Sequence, residues 1–125
     1  MEALLQTGEL EDARLEAEAL VTSWPKEAGV HVLAAQIALR AGRMRDAESG
    51  ARRALAVDPL LPAAQRILGD ALAAQGRHAE AVDWWTRWLA LARDGEVAPS
   101  EERAQVEAAL TAARAMDVYL RGRGE

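Results

Sequence analysis

Hydrophobic and polar positions divide this chain into helix-length segments punctuated by glycine and proline. Beyond Pro25 the run KEAGVHVLAAQIALRA consists of good helix formers, has no interior proline and stops at Gly42, a natural left-handed cap. RMRDAESGARRALAVD follows as a partner helix and ends before Pro59, which cannot continue a helix. The pattern then recurs as PAAQRILGDALAAQ, Gly76 and RHAEAVDWWTRWLALA. Connections this short predict antiparallel neighbours, that is, helical hairpins. The last segment, PSEERAQVEAALTAARAMDVYL, puts Val106, Leu110, Ala113 and Leu120 on one face. Arg103, Glu107, Arg114 and Arg121 line another face, as in an amphipathic helix with a wet side. Ser100, after Pro99, is its expected N-cap, with Glu101 and Glu102 favourable in the first turn.

The segments keep one register. Gly8, Gly42 and Gly76 are spaced by 34 residues, as are Ala13, Ala47 and Ala81, then Asp12, Asp46 and Glu80, and Pro25 with Pro59. The first unit has only EALLQT before Gly8, so its first helix is expected to be cut short and the chain to be a piece of a longer protein. This period, with glycine at the hairpin turn and a terminal proline, resembles the tetratricopeptide repeat family over about residues 1–93. Leu68-Gly69 matches the family's Leu-Gly pair, and Leu72 stands where a tyrosine is usual. Gln65 and His31 replace a frequent tryptophan, and Ala34-Ala35 replaces the Leu-Gly pair of the second unit. The resemblance implies an all-α, right-handed superhelix of antiparallel hairpins with a C-terminal capping helix. The expected division is hairpins over residues 1–98, with turns at Gly8, Gly42 and Gly76, a capping helix over 99–121 and a disordered tail over 122–125. Stacked hairpins share a core that one alone cannot bury, and small residues such as Ala35, Ala47, Gly69, Ala71 and Ala81 allow close approach.

Three of the four tryptophans fall within five positions. At about 100° per residue, Trp84, Trp85 and Trp88 share an arc with Ala81, Leu91 and Ala92, so they belong to the apolar stripe. Trp85 occupies the register of Ala17 and Ala51; Trp88 occupies that of Leu20 and Ala54, where the family prefers alanine. A tryptophan there is expected to hold the last helix further off, and the loop RDGEVAPS makes room. The indoles therefore read as packing, each worth on the order of 2–3 kcal/mol when buried. Trp84 is the one expected to be partly exposed.

Charge and composition exclude several function classes. The net charge is −5, and residues 1–27 hold seven acids and two bases while the rest balances. The acidity sits on one N-terminal helix (Glu9, Glu11, Asp12, Glu16, Glu18), the opposite of a nucleic-acid footprint. No apolar run reaches the roughly 18 residues of a membrane span, so this segment is not expected to insert directly. The chain has no Cys, which removes disulfides and thiolate chemistry and leaves the compartment open. Fourteen arginines against one lysine fit a GC-rich bacterial genome. His31 and His78 show no metal-ligand spacing, Ser23, Ser49 and Ser100 have no histidine at helical spacing, and no glycine-rich phosphate loop occurs. No enzyme activity, cofactor or metal is expected.

What remains is a surface. In the family, the first helix of each hairpin lines a concave groove that binds an extended peptide or a partner helix. That pattern implies a lining of Val32, Gln36, Leu39 and Arg40 from the second unit and Arg66, Asp70, Ala73 and Ala74, with Ala63, from the third. Leu5 and Gln6 would extend it. Arg40 and Arg66 suit a carboxylate and Gln36 a peptide backbone; alternatively Arg66 and Asp70, at i,i+4, pair with each other. The family's carboxylate clamp of lysines and asparagines is absent, because the chain has no Asn and only Lys26. The leading expectation is a non-catalytic module for a protein or peptide partner. One alternative is a self-assembling unit of an oligomer or longer solenoid. Another is the tetratricopeptide domain of a bacterial cytochrome c maturation factor, which AEAVDWWTRWLAL and the alanine-rich last helix resemble; those factors carry an N-terminal membrane anchor.

Overall fold

The computed structural model describes the backbone of residues 2–95 and 100–123 and the side chains of 8–92 and 101–123. Among the described residues there are six helices and no strand: α1 (Glu2–Ser23), α2 (Ala28–Arg40), α3 (Met44–Val57), α4 (Pro62–Ala74), α5 (His78–Gly95) and α6 (Ser100–Arg123). Consecutive helices pack on one another, and α2 also lies against α4. The chain is thus an all-α stack in which α2–α3 and α4–α5 are complete hairpins.

The two hairpin turns are built alike. Gly42 and Gly76 take φ of +78° and +80°, a backbone region that side chains with a Cβ rarely adopt. Gly42 N–H donates to Leu39 O at 3.2 Å and Arg43 N–H to Ala38 O at 2.9 Å. Gly76 N–H to Ala73 O (3.0 Å) and Arg77 N–H to Leu72 O (2.9 Å) repeat the pattern 34 residues on. Both sets are the paired bonds of a Schellman cap, which satisfy carbonyls the helix end leaves open.

Gly8 departs from this series. The expected turn there does not form, and α1 runs unbroken from Glu2 to Ser23. Gly8 lies inside this helix with open space at its Cβ position, and continuing an existing helix adds one bond per residue fixed. The first unit is therefore a single long helix. At the other end α6 begins at Ser100 and continues through Gly122 to Arg123, two residues past the expected boundary. The Ser100 side chain and residues 124–125, expected as cap and tail, lie outside the described residues.

The core runs through the second hairpin into the last helix. Leu68 and Leu72 of α4, Trp85, Trp88 and Leu89 of α5, and Val106, Leu110 and Ala113 of α6 form one buried cluster with the small residues of α2 and α3. Trp88 is 2% exposed and meets α6 in this cluster, as a packing role requires, while Trp84 is half-buried against it. Leu120, expected on the same α6 face, is instead exposed, because the helix outruns the surface it packs on.

Between the hairpins, Glu48 of α3 accepts from Gln75 (3.0 Å) and Arg77 (2.9 and 3.1 Å) in the α4–α5 turn, and from Arg52 (3.0 Å). The Gln75 bond, ahead of the flanking guanidiniums, lowers the Glu48 carboxyl from its ordinary value. The corresponding position on α1 is Arg14 and the corresponding turn residue is Arg43. No such bridge forms there, and both arginines line a cleft of about 290 Å³ floored by Ala17, Ala34 and Gly50.

Candidate functional site

The concave lining implied by the family pattern separates into two groups. Gln36 and Arg40, on the last turns of α2, are exposed and open onto a trough of about 600 Å³ between α2 and α1. Leu33 and Ile37 of α2 and Leu10 and Ala13 of α1 give the trough its apolar walls, with Glu9 at the rim. Among the described residues Arg40 makes no ion pair. Val32, Leu39 and Ala73 sit half-buried against the core and support this surface from below. Ala63 and Ala74 are exposed on α4, and the Leu5 and Gln6 side chains lie outside the described residues.

Arg66 and Asp70 form the second group, occupied by internal contacts. Arg66 pairs with Glu102 of α6 and donates to Gln105 Oε1 at 3.4 Å. Its guanidinium stands over the Trp88 ring, 5.6 Å from the centroid. The alternative i,i+4 pair with Asp70 is present but longer, at 3.9 Å. Asp70 accepts from Trp85 Nε1–H at 3.0 Å. Burial raises the Asp70 carboxyl above its ordinary value; the Trp85 bond and Arg66 pull the other way, and Glu102 adds to the rise. These two residues tie α4 to α5 and α6.

The repeat spacing holds a signal for the trough walls that the concave-face pattern passes over. Leu33 and Ile37 stand 34 residues before Ile67 and Ala71, which are buried in α4. In α2 the counterpart Leu33 remains 39% exposed at the trough, while Ile37 is buried. Comparing inter-hairpin positions across the repeat would have found the trough; assigning positions to the concave face alone did not.

His31 and Gln65 play matched structural parts. His31 Nε2–H donates to Pro25 O at 2.7 Å and Gln65 Nε2–H to Pro59 O at 3.2 Å, each reaching back six residues. Both are buried. Among the described residues no three His, Asp or Glu side chains gather as metal ligands, and no helix is long and apolar enough to cross a membrane.

Among the described residues, six helices, repeat-matched Schellman turns and a trough beside the first hairpin define a helical-repeat protein. The tetratricopeptide repeat profile matches residues 32–96, and the chain belongs to that family. The Yersinia enterocolitica type III secretion translocator chaperone SycD is similar in structure, with a TM-score of 0.79 and 19% identity over 90% of this chain and 77% of that one. SycD in complex with a peptide of the translocator YopD gives a TM-score of 0.79 and 20% identity, covering 90% of this chain and 86% of that one. MamA is similar at a TM-score of 0.63 and 15% identity, over 97% and 76% of the two chains. No curated protein matches the sequence.

Proposed function

We propose that the protein is a non-catalytic interaction module that binds a peptide or helical segment of a partner protein along α2 and α4. The observation that carries this reading is the contrast between two arginines of one surface. Arg66 is committed to Glu102 and Trp88, whereas Arg40 stands with Gln36 beside an open apolar trough. A guanidinium and an amide flanking apolar walls suit a carboxylate and a peptide backbone on a chain that also buries side chains. The structurally similar SycD takes a peptide of YopD. The acidic balance of the chain supports a protein partner over nucleic acid. A surface this small supports affinity on the order of micromolar.

Peptides selected on the protein from a random display library provide the test. Their binding, read by fluorescence anisotropy, is expected to weaken about tenfold or more with Arg40→Glu, roughly 1.4 kcal/mol, and less with Gln36→Ala. Equal binding to wild type and both variants would remove α2 from the site.

A further inference from the structure

The trough between α1 and α2 has the form of an unfinished helix–helix interface. Helices α3 and α5 each pack between two neighbours, α2 and α4 in one case and α4 and α6 in the other. The extensive contacts of α1 are with α2 alone. On α4, Ile67 and Ala71 are buried; of their counterparts at the trough, Leu33 is 39% exposed and Ile37 is buried in its floor. An occupant that completes this interface is therefore a helix lying beside α2, as α2 lies beside α4.

The chain carries such a helix at its other end. Helix α6 packs on α5 through Val106, Leu110 and Ala113, then runs on to Arg123. In those last turns Met116, Tyr119 and Leu120, at i, i+3 and i+4, are 44%, 58% and 44% exposed. Arg121, paired with Asp117 at 3.1 Å, and Arg123, whose guanidinium stands 5.8 Å from the Tyr119 ring centroid, follow in the final turn. The flank of α1 bordering the trough bears Glu9 and Glu16, seven residues apart on one face. Neither forms an ion pair among the described residues. Laid parallel to α2, the end of α6 brings basic residues to this acidic flank and apolar residues to Leu10, Leu33 and Ile37.

We propose that the α1–α2 trough receives the C-terminal turns of α6 from a second copy of this chain, a head-to-tail contact. Such a contact is heterologous: each copy keeps one free trough and one free α6 end, so association continues past the dimer. It uses the same trough that Gln36 and Arg40 flank in the proposed partner site and so rests on that reading; peptide binding by a chain that stays monomeric would leave the partner site standing while this contact fails.

Sedimentation velocity of the 125-residue chain, from low micromolar to near-millimolar concentration, tests the proposal. The average mass is expected to rise with concentration and to fall back with added salt. Leu33→Glu blocks the trough, and Met116→Glu with Leu120→Glu blocks the α6 end; each variant is expected to be monomeric over the same range. An equimolar mixture of the two is expected to form a one-to-one dimer and stop, because only one productive junction remains. Circular dichroism confirms that each variant is helical. Should either be unfolded, Glu9→Lys with Glu16→Lys weakens association about tenfold through exposed residues only, and Arg121→Glu with Arg123→Glu restores it. A wild-type monomer at every concentration would overturn the proposal. So would association that survives both the apolar and the charge substitutions.

Discussion

A β-carbon added to Gly69 of α4 would stand 2.5 Å from both Cδ1 and Nε1 of the Trp85 indole. Real Cβ atoms essentially never come so close, and this indole has little freedom to yield. It is 4% exposed and its N–H is held by Asp70. Gly69→Ala is therefore expected to destabilise the protein by about 1–2 kcal/mol net, although alanine is the better helix former by about 1 kcal/mol. Gly8 supplies the control, since it lies within α1 and a Cβ there meets nothing within 4 Å. Gly8→Ala is expected to stabilise by about 0.5–1 kcal/mol. Urea denaturation measures both. A raised midpoint for Gly69→Ala would remove the close-approach account, and a lowered one for Gly8→Ala would restore a turn at Gly8.

The same contact has a pH dependence. Burial raises the Asp70 carboxyl in the folded state, so between its ordinary value of 3.8 and its folded value the folded chain binds more protons than the unfolded one. Asp70's contribution is then most favourable below the unfolded value and declines as pH rises through the folded one. Asp70→Asn keeps an oxygen to accept from Trp85 and carries no charge to desolvate. The variant is expected to be at least as stable as wild type at pH 7 and to lose that advantage in acid. Comparing melting temperatures of the two proteins between pH 3 and pH 7 isolates this group, because Glu48, lowered by its Gln75 bond, acts equally in both. A difference that is flat in pH would count against it.

Trp88 and Trp84 differ in what surrounds them. Trp88 is enclosed by the core that joins α5 to α6 and is capped by Arg66, whereas Trp84 is half-buried under Arg87, 4.5 Å from its ring centroid. Trp88→Ala is expected to cost about 3–5 kcal/mol, with Trp88→Leu as a milder version. Trp84→Ala is expected to cost about half as much, since the ring is only partly buried. Hydrogen exchange gives the finer reading. Protection of α6 amides is expected to fall first in the Trp88 variants, and uniform loss along the chain would show that the ring does not act at the α5–α6 junction.

These contacts mark how far the sequence carried. Gly42 and Gly76 were legible as turns because each closes a helix-length run of good helix formers, and a left-handed glycine cap is the usual way such a run ends. Gly8 shares their register, but glycine also sits inside helices, and register alone does not separate the two cases. The indole stripe was legible because helical periodicity alone puts Trp85 and Trp88 inward. The fate of Arg66 and Asp70 was not, because the 34-residue spacing lapses after the fifth helix and periodicity cannot say where α6 returns. That return brings Glu102 and Gln105 onto Arg66 and withdraws it from the open surface. Repeat position named Gln36 and Arg40, which border the trough, while its α1 side was hidden by the expectation of a hairpin there.

His31 and Gln65 give the repeat a test within one molecule. Their backbones are equivalent, their side chains differ, and each donates to the carbonyl of a proline six residues earlier. If that bond is what the position requires, His31→Gln should be nearly neutral, within about 0.5 kcal/mol, because Gln65 already does the same work in the next hairpin. His31→Leu keeps comparable bulk and removes the donor, leaving the Pro25 carbonyl short of a partner at a cost of about 1 kcal/mol. Chemical denaturation of the two variants separates shape from hydrogen bonding. Equal losses would mean the site selects ring volume, and equal stability would mean that water serves the carbonyl as well as the side chain does. Only the split outcome, with glutamine tolerated and leucine not, fits a position whose job is to hold the helix start onto the proline that precedes it.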